Sequence, residues 1–267
     1  MEFDSRKQAM AARKAAQCTS GGAPANLAQH SADHRQHLMQ QARSVFITGT
    51  DTGVGKTRIS CALLLAARRR PLKAYGMKPV ASGSVLKGAE WHNEDADLLR
   101  QYSTTPTPDP ALMNPYTLEE PIAPQIAARH AGVTIEIERL QAAHQALMYS
   151  ANLVIVEGVG GWAVPYSDTA MQAHLVRALD VPVILVVGIR LGCINHALLS
   201  AQAIAADGCR LVGWIANRID PAVLCADEVI ASIAEELDVP LLADVPHGLS
   251  VDKMAAIVDP ALTPILA

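Results

Sequence analysis

The sequence is poor in aromatic residues and in paired cysteines, and each shortage excludes a class of protein. Only 4% of the 267 residues are aromatic although 50% are hydrophobic, so Ala, Leu, Ile and Val supply most of the apolar volume. This composition suits helices packed on buried parallel strands better than an aromatic-rich β-sandwich. The five cysteines form no C-x-x-C pair and have no histidines at zinc-site spacing. We therefore expect free thiols and no zinc site.

Long apolar runs and a basic excess are also missing. The longest apolar stretches, such as residues 181–189, are far shorter than the roughly 20 residues that span a bilayer. The net charge is −4, from 22 basic and 26 acidic side chains, which argues against a general nucleic-acid binder. We expect neither a membrane nor a nucleic acid as partner, and a location in the cytoplasm.

The charge is distributed unevenly along the chain. Residues 1–43 carry a net +3, so residues 44–267 carry −7. The first part is rich in Ala, Gln, His and Ser and has no hydrophobic run, so it cannot bury enough apolar surface to offset its ordering entropy. We predict a disordered N-terminal extension over residues 1–43 and one folded domain over residues 44–267.

From Ser44 onward, short runs rich in β-branched residues alternate with helical patterns, which is typical of βαβ units and a parallel sheet. The predicted strands are Val45–Thr48, Lys73–Lys78, Leu153–Glu157, Val183–Gly188, Leu211–Asn217 and Leu241–Ala243. The predicted helices are Thr57–Arg70, Asn93–Gln101, Thr134–Tyr149, His196–Ala206 and Asp227–Leu237. The expected fold is a single α/β domain with helices on both faces of a mostly parallel sheet, and residues 104–115 are expected to form an irregular loop.

The segment from Gly49 to Thr57 reads G-T-D-T-G-V-G-K-T and lies between an apolar strand and an Ala/Leu-rich helix. Backbone N–H groups in such a loop and at the helix N-terminus converge on an anion. Lys56 would then lie near the β and γ phosphates, and the Thr57 hydroxyl could bind Mg²⁺. The alternative is a set of ordinary turn glycines, since Thr50 occupies the first glycine position of the usual motif.

Glu157 ends the apolar run 153–156 and precedes the glycine-rich segment 158–161. Ligands of parallel sheets bind at the carboxyl ends of the strands, so this carboxylate should lie at the same edge as the phosphate loop. Oxygen ligands suit Mg²⁺, which makes Glu157 a candidate for the metal. The alternative is a solvated glutamate that caps a neighbouring helix.

Three further groups are candidates with open alternatives. Asp95 and Asp97 lie at the start of a predicted helix, where favourable interaction with the helix dipole alone would explain them. Lys78 ends the second predicted strand and could meet an anionic substrate or reach solvent. The segment 188–196 ends a strand and opens a helix, so its N–H groups could bind a carboxylate.

Taken together, these residues resemble the dethiobiotin synthetase family. The resemblance covers segments 48–57, 78–83, 114–116, 156–162, 167–169, 182–188, 191–196 and 213–217, in that order. It implies ATP-dependent carboxylation of 7,8-diaminononanoate by CO₂ or bicarbonate, through a carbamate and a carbamic–phosphoric anhydride, with ring closure to dethiobiotin. It also implies Mg²⁺ as cofactor, ATP as co-substrate and a homodimer.

The resemblance also implies roles for individual residues. Lys56, Lys78 and Thr52 would be catalytic, and Thr57, Asp95 and Glu157 would bind the metal. The substrate would be bound by Ser82, Gly192, Cys193, Ile194 and Asn195. The nucleotide would be bound by Gly53, Val54, Gly55, Lys56, Thr57, Glu157, Gly158, Gly160, Asn217, Pro246, His247 and Gly248.

Two other groups of proteins share this style of loop, and each normally has a sequence feature that this chain lacks. Amide-forming synthetases of cobalamin synthesis share this style of phosphate loop but carry an additional glutaminase domain, for which 267 residues leave no room. Partition-type ATPases use the nucleotide as a switch and normally have a second lysine early in the loop. Thr50, Asp51 and Thr52 occupy that part of the loop here.

Overall fold

The computed structural model describes residues 43–266. The predicted extension over residues 1–43 lies outside this range, except for Arg43, which begins the first strand. The strands are β1 (Arg43–Gly49), β2 (Ala74–Met77), β3 (Val80–Ala81), β4 (Val85–Lys87), β5 (Glu90–His92), β6 (Tyr116–Thr117), β7 (Leu153–Glu157), β8 (Val183–Gly188), β9 (Leu211–Asn217) and β10 (Leu241–Val245).

Ten α-helices lie among and after these strands within residues 43–266. They are α1 (Lys56–Arg69), α2 (Glu94–Tyr102), α3 (Pro110–Met113), α4 (Pro124–His130), α5 (Ile137–Met148), α6 (Gln172–Leu179), α7 (Cys193–Ala206), α8 (Ala226–Glu236), α9 (Val251–Val258) and α10 (Thr263–Leu266), with a 3-10 helix over Asp259–Leu262. Within residues 43–266, no helix is long and apolar enough to cross a membrane.

Six strands form one parallel sheet in the order β10-β9-β8-β1-β7-β2. The central strand β1 pairs with β7 on one side and β8 on the other. Ile47 lies beside Glu157, and Gly49 lies beside Val186. This register brings the end of β7 and the start of the phosphate loop to the same edge of the sheet.

Both faces of the sheet are covered, because successive residues of a strand point to opposite sides. On β1, Val45 and Ile47 pack with α1, α9 and α10, whereas Phe46 packs with helices α4 to α8 on the other face. Strands buried on both faces read as continuous apolar runs, which is how β7 and β8 read. The α/β fold predicted from the sequence is confirmed.

The predicted bounds of β7, β8 and β9 agree with the structure, and other predictions need correction. β2 ends at Met77, so Lys78 lies just beyond the strand, and β10 continues to Val245. Helix α7 begins at Cys193, three residues before the prediction, because Gly192 adopts a left-handed conformation (φ 91°) that starts it. The predicted loop 104–115 contains α3, which begins with Pro110 and is capped by the side chain of Asp109.

Candidate active site

The loop between β1 and α1 has the backbone of an anion-binding turn. Gly53 and Gly55 have φ values of 75° and 92°, which favour glycine. At Gly55 a Cβ atom would also lie 2.2 Å from Nδ2 of Asn217, so a larger residue would not fit. No side chain caps α1, and its first turn contains no acidic residue. The N–H groups at this helix start are therefore arranged to bind an anion.

Lys56 lies buried beneath this loop. Its Nζ donates a hydrogen bond to the carbonyl oxygen of Asp51 at 3.0 Å. Burial, and next the positive charge of Lys78, lower the pKa of Lys56 to about 8. A phosphate in the loop would offset both effects, because it would supply an opposite charge to a desolvated cation.

Three oxygen-bearing side chains meet beside Lys56. The Oγ1 atom of Thr57 lies 2.8 Å from Oδ1 of Asp95 and 2.8 Å from Oε1 of Glu157. A hydroxyl has one hydrogen and can donate it to only one of these carboxylates. The other oxygen of Glu157, Oε2, is buried and has no hydrogen-bond partner within residues 43–266. Such a set of hard oxygen donors, one of them unsatisfied, suits a divalent cation such as Mg²⁺.

Lys78 is the cation that these carboxylates contact in the structure. The side chain is only 3% exposed, and its Nζ donates to Glu157 Oε1 at 2.6 Å, to Asp95 Oδ2 at 2.9 Å and to the carbonyl oxygen of Gly158 at 3.2 Å. The solvent-facing alternative for Lys78 is thus wrong. Burial opposes its charge, but the two carboxylates outweigh burial and raise the pKa of Lys78.

The structure distinguishes Asp95 from Asp97. Burial favours the neutral form of Asp95, yet the charge of Lys78 and the hydrogen bonds from Lys78 and Thr57 lower its pKa. Asp97 instead lies 3.0 Å from Nδ1 of His92. Asn93 caps α2 by accepting hydrogen bonds from the N–H groups of residues 95 and 96, and its Nδ2 donates to the carbonyl oxygen of Ser82 at 3.1 Å. This cap brings Asp95 into the site and attaches the segment that carries Ser82.

Four of the residues predicted to bind the nucleotide lie near the ends of β9 and β10, which are on the other side of β1 from β7 and β2. Asn217, at the end of β9, donates from Nδ2 to the carbonyl oxygen of Val54 at 2.8 Å. Pro246, His247 and Gly248 follow β10 and are exposed. Nδ1 of His247 lies 3.1 Å from the carbonyl oxygen of Arg218. Asn217 ends β9 and residues 246–248 follow β10, so both lie at the edge of the sheet that carries the loop.

The segment Gly192–Asn195 lies in a separate groove. A cavity of about 740 Å³ is lined by residues 190–195, 198, 220, 222–224 and 229, and neither Lys78 nor Ser82 is among them. An ion pair between Arg190 and Asp51 joins this groove to the phosphate loop. Thr52 is exposed, and a Cβ atom on Gly160 would lie 3.8 Å from its Oγ1. The sequence predicts that Thr52 and Gly160 lie at the same edge of the sheet. It does not predict where the groove at Gly192–Asn195 lies relative to that edge.

Two polar groups at this edge were missed by sequence reasoning. Arg190 lies within a segment that the sequence singles out, but its partner Asp51 is distant in the chain and no pattern connects them. Gln172 lies fully buried at the start of α6 and contacts the glycine-rich segment after Glu157. A lone glutamine before a short helix carries no sequence signal of such a role.

These features define the class of the protein. A parallel sheet with β1 near its centre, a glycine-bounded loop between β1 and α1, and Lys56 and Thr57 at the loop's end are the attributes of a phosphate-loop nucleotide-binding protein. Residues 43–255 match the protein family described as an AAA domain.

Curated relatives identify the family within this class. The ATP-dependent dethiobiotin synthetase BioD of Xylella fastidiosa strain 9a5c is 51% identical over 218 residues, which cover 80% of this chain and 96% of that protein. The protein of the same name from Aromatoleum aromaticum is 53% identical over 216 residues, covering 80% and 95%. The chain belongs to the family of ATP-dependent dethiobiotin synthetases, as its resemblance predicted.

A solved structure agrees on the fold. The MinD cell division protein of Aquifex aeolicus has a TM-score of 0.52 and 15% identity, and the match covers 82% of this chain and 95% of that chain. At this identity the likeness concerns the fold alone.

Proposed function

We propose that this chain converts 7,8-diaminononanoate, CO₂ and ATP into dethiobiotin, ADP and phosphate. One amine of the substrate adds to CO₂ and loses a proton, which gives a carbamate. The carbamate oxygen then takes the γ-phosphoryl group of ATP to form a carbamic–phosphoric anhydride. The second amine attacks the carbonyl carbon, phosphate leaves and the ureido ring closes.

One observation carries this proposal beyond family membership. Lys56, Thr57, Lys78, Asp95 and Glu157 converge at one edge of the sheet, and the last four are joined by hydrogen bonds of 2.6 to 2.9 Å. Phosphoryl transfer requires positioning and charge neutralisation more than covalent catalysis. A cluster of placed charges with no side-chain nucleophile assigned to it matches that requirement.

Mg²⁺ fits the oxygen donors of this cluster, including the unpartnered Oε2 of Glu157. Thr57, Asp95 and Glu157 would hold the ion, and it would supply charge neutralisation at the phosphates of ATP. The loop N–H groups of residues 53–57 and the ammonium of Lys56 would hold the phosphate oxygens in place. Lys78, which Asp95 and Glu157 already orient, would stabilise the negative charge of the carbamate together with Ser82 and the neighbouring Thr52.

Two further regions would hold the carboxylate end of the diamine and the adenine base of ATP. Gly192–Asn195, at the N-terminus of α7, would bind the carboxylate of the diamine through backbone N–H groups. Asn217 and the segment 246–248 would contact the adenine base.

A homodimer in the cytoplasm completes the proposal. Leu191 and Leu224 at the rim of the groove are 100% and 86% exposed, and exposed apolar groups around a groove are typical of a surface that a partner covers. A second copy of the chain would complete the groove at Gly192–Asn195. Light scattering should then give a mass near twice the chain's 28.3 kDa; a monomer would contradict this part.

The decisive experiment supplies purified protein with ATP, Mg²⁺, bicarbonate and 7,8-diaminononanoate. Dethiobiotin should appear, identified by its mass, and ADP release should depend on the diamine. The matched control omits only the diamine. No dethiobiotin together with diamine-independent ATP hydrolysis would contradict the proposal and favour a nucleotide switch.

A further inference from the structure

The side chain of Gln172 makes four hydrogen bonds, three of them to the segment of residues 158–162 that follows Glu157. Its Oε1 accepts from the N–H of Val159 at 2.9 Å and from the hydroxyl of Tyr166 at 3.2 Å. Its Nε2 donates to the carbonyl oxygens of Gly161 at 2.8 Å and Trp162 at 3.4 Å. Because the side chain is 0% exposed, no water can replace these partners.

The chain reverses on itself to bring Gln172 to this place. The N–H of Tyr166 donates to the carbonyl oxygen of Ala170 at 2.8 Å, and the N–H of Gln172 donates to that of Val164 at 2.8 Å. Ser167 Oγ accepts from the N–H groups of residues 169 and 170 at 3.3 and 3.0 Å. The Ser167-Asp168-Thr169 motif, to which the proposed reaction gives no role, thus forms a turn that returns the chain to the site.

The segment that Gln172 binds contacts the reaction site directly. Its first residue, Gly158, accepts a hydrogen bond from Lys78 at 3.2 Å. A Cβ atom on Gly161 would lie 3.6 Å from the carbonyl oxygen of Gly49, so the segment packs on the start of the phosphate loop. A Cβ atom on Gly158 would lie 2.7 Å from Oε1 of Gln172 and 2.9 Å from Cζ of Phe46. The segment is therefore confined from the phosphate-loop side and from the Gln172 side.

We propose that Gln172 is a positioning residue for the reaction: it fixes the backbone of residues 158–162, and through it the places of Glu157 and Lys78. The inference rests on the proposed function only in that dethiobiotin formation is the reaction whose rate is measured. The phosphate loop and Lys56, which would hold the phosphates of ATP, are not touched by Gln172. Of the predicted nucleotide contacts, only those near Gly158 and Gly160 lie in or beside the segment that Gln172 fixes, and the others would remain. Loss of Gln172 should therefore slow the chemical step much more than it weakens ATP binding.

The test compares Gln172→Leu, which keeps the approximate volume but no hydrogen bond, with the wild type. We expect kcat for dethiobiotin formation to fall about tenfold or more, while KM for ATP changes less than about threefold. The matched control is His144→Leu, which removes a buried polar side chain at the opposite end of the sheet. It should lower the melting temperature comparably and leave kcat unchanged.

Two milder variants keep the test decisive if Gln172→Leu does not fold. Tyr166→Phe removes one bond to Gln172 and should lower kcat less than Gln172→Met, which has nearly the length of glutamine but makes none of its four hydrogen bonds. Hydrogen exchange gives a readout without turnover: the amide of Val159, which donates to Oε1 of Gln172, should be protected in the wild type and exchange faster in Gln172→Met. If the wild type makes no dethiobiotin but Val159 exchanges faster in the variant, the proposed function is overturned. The contact by which Gln172 fixes residues 158–162 is then still supported.

The inference fails if kcat of Gln172→Leu, or of Gln172→Met where the former is unfolded, stays within about twofold of wild type. It also fails if kcat falls only as much as in His144→Leu at the same loss of melting temperature, because the role would then be structural alone. An unchanged exchange rate at Val159 in Gln172→Met would overturn it independently of the reaction.

Discussion

The two ends of the central sheet are built from different kinds of polar group. At the carboxyl end, Lys56, Lys78 and Glu157 are buried close together, and one oxygen of Glu157 has no partner within residues 43–266. At the amino end, the buried polar groups are neutral. Ser44 Oγ lies 2.9 Å from His144 Nε2 and donates to the carbonyl oxygen of Val154 at 3.0 Å.

This difference separates what holds the fold together from what the site requires. Neutral groups with complete hydrogen bonds stabilise a fold by about 1 kcal/mol each. Buried charges gain little over apolar replacements, because their desolvation offsets their attraction. Lys78 and Glu157 stabilise each other, but the Nζ of Lys56 donates only to a backbone carbonyl oxygen among the described residues. Removing Lys56 should therefore lower activity without lowering stability, whereas a change at the amino end should lower stability without lowering activity.

The largest effect is expected for Lys56→Met. Methionine keeps much of the apolar stem but removes a charge that burial and Lys78 disfavour. We expect dethiobiotin formation to fall about 10³-fold, by loss of charge stabilisation at the phosphates, while the melting temperature does not fall. Product mass spectrometry and thermal unfolding of the ligand-free protein measure the two effects.

A fall of several degrees in melting temperature would contradict the comparison, because it would show that Lys56 stabilises the empty protein. Lys56→Arg serves as the charge-retaining control. It should recover little activity, since the guanidinium is too large for the buried position beneath the loop.

A smaller effect is expected for Glu157→Gln. Glutamine retains an oxygen that can accept from Lys78 but removes one of the two carboxylates near Thr57. We expect kcat to fall about 100-fold and half-saturation by Mg²⁺ to require a higher concentration, with the protein still folded. Steady-state rates over a Mg²⁺ titration give both values.

The matched control for Glu157→Gln is Asp97→Asn. Asp97 lies two residues after Asp95 on α2 but contacts His92. Asp97→Asn removes one negative charge at the same end of the sheet, as Glu157→Gln does. It should leave the rate and the Mg²⁺ dependence unchanged. Full activity of Glu157→Gln at limiting Mg²⁺ would remove Glu157 from the metal site.

Much of this site follows from sequence patterns with a physical basis. The phosphate loop and Glu157 were found because an apolar run before a polar residue marks the end of a buried parallel strand, and such ends share one edge. That inference needs only local sequence and the geometry of parallel sheets. The fold class followed in the same way from the alternation of strands and helices.

Contacts between distant segments could not be predicted. Asp95 and Asp97 are equivalent in sequence, and only the cap at Asn93 and the place of Lys78 distinguish them. Lys78 could have faced solvent, and its burial depends on carboxylates from α2 and β7. The role of Gln172 depends on a turn that spans residues 164–171. Each of these is decided by tertiary packing, which no local period encodes.

The smallest effect is a pH dependence of stability that originates at the amino end. The Ser44 hydroxyl donates its hydrogen to Val154, so the neutral ring of His144 donates from Nε2 to Ser44. Burial lowers the pKa of His144 from 6.5 to about 4. As the pH falls through this window, the unfolded chain takes up the proton before the folded chain does. Stability present above pH 6.5 is therefore lost between pH 6.5 and 4, by about 3 kcal/mol at most.

His144→Leu isolates this contribution from the carboxylates that titrate in the same region. Urea unfolding at pH 7 and at pH 5 should show a smaller loss of stability on acidification in the variant than in the wild type, since leucine cannot take up a proton. The variant is less stable at pH 7, because Ser44 loses its donor, and the two proteins approach each other in stability as the pH falls. An equal loss of stability on acidification in the two proteins would mean that His144 titrates alike in the folded and unfolded states. The contrast between neutral buried groups at the amino end and charged ones at the carboxyl end would then fail.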